Sequence, residues 1–420
     1  VVNAARVVTI VALLAAGTAG CAVPAPSGSP AGPTGPPAST QVAHTPRPSG
    51  SQPSAEPSPT AGSPSPARDL AAEVAVERLP RQATGAIGEL ASTGSAVVFS
   101  SDLAGDAPDG AAPDLWRVVP GPDAAPQLVW RNPARDHALA RIAGDLDTIA
   151  FVDLPLDGER AWDLWVVPRD GDPVLLDTYP GDPGVSSLVP SIAVYEPRVA
   201  WTAFDVGPHG PVSQLLVASA PDWEPRLLAE RDATVAELWL PDLEDDRIAY
   251  TEVVYDADRA SDERHVFLGS ITQPATEHRR LDGSGLATMP QLVNGGVIWK
   301  EADRGFNMFN WGRLYRWDAA TETIDRMRLG DHDYVNYPSA GSRFVTWWGS
   351  ATNTLGVFDL VRGHARTLVR HPPDSAKAVS RAHVAGDLIA WLSVEVDPVA
   401  GTSTSELRYA FLPPVKELER

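Results

Sequence analysis

The sequence predicts an all-β fold, a β-propeller of seven four-stranded blades. Three observations carry that expectation. A short motif built on an aromatic residue recurs seven times, the copies are almost evenly spaced, and no helical pattern follows residue 80.

The N-terminus stands apart from the repeats. "AARVVTIVALLAAGTAG" has one basic residue, Arg6, then a short apolar run and small residues. This is the layout of a signal peptide, expected over 1–20, and its apolar run is shorter than the roughly 20 residues that span a bilayer. It leads to Cys21, the single cysteine, which rules out an internal disulfide framework or a cysteine-ligated zinc. "TAGC" resembles a bacterial lipobox. The resemblance implies cleavage before Cys21, a diacylglycerol on its thiol, and an extracytoplasmic protein anchored to the cell membrane.

A Pro/Ser/Gly-rich stalk is expected over 21–68. It has almost no large apolar side chain, so burial cannot offset the entropy of ordering it. Such a Pro-rich tether reaches on the order of 100 Å. The repeats follow, over 69–420.

The recurring motif is "AVVFSS" at Phe99, "TIAFVD" at Phe151, "RVAWTA" at Trp201, "RIAYTE" at Tyr250, "GVIWKE" at Trp299, "FVTWWG" at Trp347 and "LIAWLS" at Trp391. Successive aromatics lie 52, 50, 49, 49, 48 and 44 residues apart. A β-branched residue always stands two positions earlier, with a mostly small residue between. Period-2 strands put the β-branched residue and the aromatic on one face and the small residue on the other. The small residue lets one neighbouring sheet approach, and the aromatic fills the gap on the opposite side.

A second strand follows each copy, as in "DLWRVVP" or "RLYRWDA", then a turn and a short strand such as "PVLLDT". Before each copy lies another segment, often Pro-led: "PSIAV", "PDLED", "PQLVN", "PSAGS". Four strands at a period near 49 describe propeller blades, which bury both faces by radial stacking. "AAEVAVERLP" at 71–80 is placed to pair beside "ELRYAFLPPV" and close the ring. The repeat resembles that of TolB-like (WD40-like) propellers over residues 85–415, its Ser-Pro-Asp-Gly turn reduced to "GDLDTIAF", "YEPRVAW" and "VAGDLIAW". That resemblance implies a binding platform in the bacterial envelope.

A net charge of −20 repels phosphate backbones, so no nucleic-acid partner is expected. Gly-x-Ser-x-Gly, His-Glu-x-x-His, P-loop and Rossmann patterns are absent. Attention falls on the long, varied hairpins between second and third strands and on the blade-to-blade loops beside them. In "YDADRASDER", Asp256, Asp258 and Asp262 are oxygen donors that Ca²⁺ would accept, although the EF-hand spacing is missing. In "FNMFNWG", Asn307, Phe309 and Trp311 suit stacking against a sugar or peptide. Asp136-His137 and Asp331-His332 recur four periods apart, the second followed by Asp333 and Tyr334. Adjacent Asp and His support acid–base or ligand-binding roles, although these two pairs lie across the ring from each other.

The expected function is a membrane-anchored, monomeric binding or scaffold module for a protein or glycan of the envelope, with no cofactor. The alternative is a polysaccharide lyase or glycoside hydrolase with its site at the channel mouth. That alternative requires carboxylates converging within about 5–10 Å.

Overall fold

The computed structural model describes residues 76–78, 87–108, 111–121, 124–156, 161–181, 189–256, 262–302, 312–329, 334–349, 353–372, 375–397 and 402–412. The signal peptide, Cys21 and the stalk lie outside them.

Strand β1 (Glu77–Arg78) comes first. Blade one is β2 (Ile87–Ser92), β3 (Val97–Ser101), β4 (Asp114–Val118) and β5 (Gln127–Trp130). Blade two is β6 (His137–Asp145), β7 (Thr148–Pro155), β8 (Trp162–Val167) and β9 (Val174–Tyr179). Blade three is β10 (Ile192–Tyr195), β11 (Arg198–Gly207), β12 (Gly210–Ser219) and β13 (Arg226–Asp232). Blade four is β14 (Ala236–Glu244), β15 (Arg247–Tyr255), β16 (Asp262–Ser270) and β17 (Arg279–Arg280). Blade five is β18 (Ala287–Val293), β19 (Gly296–Glu301), β20 (Arg313–Asp318) and β21 (Thr323–Arg326). Blade six is β22 (Asn336–Ala340), β23 (Phe344–Gly349), β24 (Thr354–Asp359) and β25 (His364–Arg370). Blade seven is β26 (Lys377–Ala385), β27 (Leu388–Asp397) and β28 (Thr402–Phe411), with β1 as its outer strand.

The first strand of each blade touches its counterparts on both sides, so β2, β6, β10, β14, β18, β22 and β26 ring a central channel. The ring closes as the sequence predicts: Glu77 pairs with Tyr409 and Arg78 with Arg408. Blade one seals against blade seven through Phe99, which shares a core with Ala390, Leu407 and Tyr409.

The aromatic motif is the second strand of every blade. Each aromatic enters the preceding blade at its small residue: Phe151 joins Val98, Trp201 joins Ala150, Tyr250 joins Ala200, Trp299 joins Ala249 and Trp347 joins Ile298. All seven aromatics are buried. Where β24 passes Trp347 it carries Gly356, and a Cβ there would stand 2.2 Å from the indole. No other residue leaves that ring its space.

The Pro-led segments need correcting. Pro241, Pro290 and Pro338 lie inside β14, β18 and β22, not at their starts. Proline has no N–H to donate, so within a sheet it fits where the ladder is interrupted. Each sits in a bulge, where register slips between Trp239 and Asp242, Thr288 and Gln291, and Asn336 and Ser339. The same slip occurs in β2, β6 and β26. Side chains beyond the bulges tie neighbouring inner strands together. The amides of Leu292, Ala340 and Val384 donate to Asp242 (2.5 Å), Gln291 (3.2 Å) and Ser339 (3.2 Å).

Candidate functional site

Polar groups gather in three places: two clusters at the loop face and a belt in the channel. The first cluster spans blades one and two. Arg135, in the loop before β6, reaches Asp114 (2.5 Å), Asp102 (3.2 Å) and Asp106. Asp114 is fully buried, so this guanidinium is what makes its charge tolerable there. The hydrogen bond to Asp114 leads in holding the Arg135 proton more tightly than usual, against burial. His137 opens β6, and its Nδ1 lies 3.0 Å from Asp153 on β7. Asn132 donates to the same carboxylate oxygen at 2.8 Å. Burial pushes the Asp153 carboxyl up, while His137 and Asn132 pull the other way.

The second cluster is on blade four. His265 has Nδ1 3.3 Å from Asp282 and Nε2 3.3 Å from Glu263. Asp282, in "DGSGLA", accepts the amides of Val266 (2.8 Å) and Gly285 (3.2 Å), so that glycine-rich segment is a carboxylate-pinned turn. Arg264 grips Asp262 through two hydrogen bonds of 2.9 and 2.7 Å. Lys300 follows Trp299 on β19 and is wholly buried where other blades carry Ser100, Thr202 or Thr251. Burial, with Arg264 adding to it, pushes the Lys300 amine down to about 7. Its Nζ lies 5.9 Å from the centre of the Tyr337 ring.

The belt is made by the inner-strand bulges. Their first residue has a left-handed backbone: Arg141 (φ 52°), Leu240 (φ 50°), Met289 (φ 56°), Tyr337 (φ 40°) and Arg381 (φ 50°). In β2 the bulge holds Gly88 and Glu89, and Glu89 pairs with Arg381 across the seam between blades one and seven. Radial sheets aim inner-strand side chains at the neighbouring blades. A bulge breaks that alternation and re-aims one residue. Tyr337 of blade six therefore lies in electrostatic reach of Arg141, Arg381 and Glu89, on blades two, seven and one; burial leads in raising its hydroxyl. His383, also on β26, is held below its ordinary value by burial, with Glu89 opposing.

Of the residues singled out from the sequence, His137 lies beside a carboxylate, that of Asp153 on β7 and not of its sequence neighbour Asp136. Tyr334 is exposed and accepts a 2.8 Å hydrogen bond from Arg313. Asp256 is exposed, and Asp262 is occupied by Arg264. Among the described residues no three His, Cys, Asp or Glu side chains gather as a metal site. Asn307, Phe309, Trp311, His332, Asp333 and Asp258 lie outside the described residues. The channel belt went unread in the sequence. Its one signal is the proline two residues before an apolar strand pair, which marks a bulge only once the strand is known to continue on both sides.

No protein-family profile matches the chain, and no curated protein matches its sequence. Solved structures do resemble it. The β-propeller domain of the trilobed protease from Pyrococcus furiosus superposes with a TM-score of 0.55 at 12% identity, over 79% of this chain and 97% of that one. An oligogalacturonate lyase, in complex with manganese, gives 0.51 at 14% identity, over 81% and 91%. An acylaminoacyl peptidase from Pyrococcus horikoshii gives 0.53 at 11% identity, over 77% of this chain and 51% of that one. At such identities the likeness shows the fold alone: a seven-bladed β-propeller. The trilobed protease domain has an open velcro topology, whereas here β1 completes the last blade.

Proposed function

We propose that this chain is a TolB-like binding or scaffold module of the bacterial cell envelope, monomeric and held at the membrane by lipid on Cys21. Its ligand is a protein or glycan taken up at the loop face and channel. One observation carries the reading. Among the described residues, groups at the loop face that could do chemistry are spent on one another, Arg135 on three aspartates and His265 on two carboxylates. Such a face is preorganised and polar, which suits recognition.

Capture from envelope extracts with the stalk-free propeller tests it. Retention of a partner by the wild type, lost with Arg135→Ala, supports the reading. Repeated absence of any retained protein or glycan overturns it. For the anchor, Cys21→Ser should release the protein or block its processing, and unchanged membrane retention would contradict lipidation. Among the described residues, the pair in which Asp153 orients His137 favours a catalytic reading. Polysaccharide cleavage that disappears in His137→Ala would establish it.

A further inference from the structure

We propose that the middle of the channel receives the C-terminal carboxylate of a peptide with an apolar last residue, bound by Arg141 and framed by Arg381 and Tyr337. The proposal rests on the binding reading above and names the chemistry of one ligand.

The belt spends backbone energy on its side chains. A left-handed backbone is costly for any residue with a Cβ and easy for glycine. Yet Arg, Leu, Met, Tyr and Arg stand at the five left-handed bulges. The cost places large side chains in the channel, where plain strands would turn them into blade interfaces.

Their chemistry divides the channel. On one side, blades one, two, six and seven contribute Glu89, Arg141, Tyr337 and Arg381. Arg381 is matched by Glu89. Among the described residues Arg141 has no ion-pair or hydrogen-bond partner. The belt therefore holds one uncompensated positive charge in a chain of net charge −20. On the other side, blades four and five contribute Leu240 and Met289. An unpaired guanidinium suits bidentate binding of a carboxylate. Half-buried Leu240 offers contact to an apolar side chain, which a sugar acid lacks, while Met289 beside it is buried and backs that wall. A peptide C-terminus carries both parts, and Tyr337 supplies a ring face between them.

The test titrates the full chain calorimetrically with Ala-Ala-Leu, with the same peptide as its C-terminal amide, and with trigalacturonic acid. The free acid should bind about tenfold or more tightly than the amide, the usual margin for a charge-assisted pair. Arg141→Asn should lose the same factor while keeping its thermal midpoint, since Asn accepts the left-handed backbone. Equal binding of acid and amide overturns the proposal, as does wild-type affinity in Arg141→Asn or no peptide binding at millimolar concentration. Binding of trigalacturonic acid in place of the peptide would assign the site to a glycan instead. Should the channel fail while the envelope partner is still retained, the broader binding reading stands on its own.

Discussion

The second strands and the inner strands of this propeller repeat in opposite ways. Second strands repeat side chains: a β-branched residue, a small one and an aromatic, buried in every blade. Six of the seven inner strands repeat a backbone feature, the bulge, and vary what it carries, from Arg141 to Leu240 to Tyr337, while β10 runs in unbroken register. Where side chains repeat, the demand is packing, because each blade must fit its neighbour. Where only backbone repeats, the demand is position, and each blade can offer different chemistry from the same place.

That contrast can be broken by substitution. Trp347→Ala should cost about 4 kcal/mol in urea unfolding, since it empties a buried site between blades five and six. Lys300→Met should act oppositely and stabilise the fold by roughly 3 kcal/mol near neutral pH. The unfolded chain holds the Lys300 proton up to 10.5 and the folded chain only to about 7, so the wild type loses stability as pH falls through that window. The gain in Lys300→Met should close toward pH 10.5, and a gain independent of pH would show that the amine's charge is not its cause. Gly356→Ala should cost about 2 kcal/mol by crowding the Trp347 ring.

Smaller effects are expected at the channel wall. Burial pushes the Asp242 carboxyl up to about 7. The folded chain therefore keeps a proton that the unfolded chain releases at 3.8, and the wild type loses stability as pH rises from 3.8 to about 7. Asp242→Asn should melt like the wild type below this window and higher above it. Tyr337→Asn should change stability least, within about 0.5 kcal/mol, because Asn tolerates the left-handed backbone. A loss there as large as that of Trp347→Ala would erase the distinction between wall and interface.

Much of the architecture was legible in the chain. The seven aromatics, their spacing and the four strands per blade are local patterns, and so was the strand that closes the ring. The site was less so. His137 was visible as a histidine in a blade-to-blade loop, but its partner Asp153 is on the next strand and carries no motif. The Asp-His pairs are four periods apart in the sequence, yet Arg141, four residues after His137, and Tyr337, three after Tyr334, come into electrostatic reach.

Periodicity alone settled which residues fill the blade interfaces, because a strand's alternation follows directly from its backbone geometry. The tertiary structure decided which residues face the channel. A bulge suspends that alternation, and its new direction has meaning only when seven inner strands stand around a common axis.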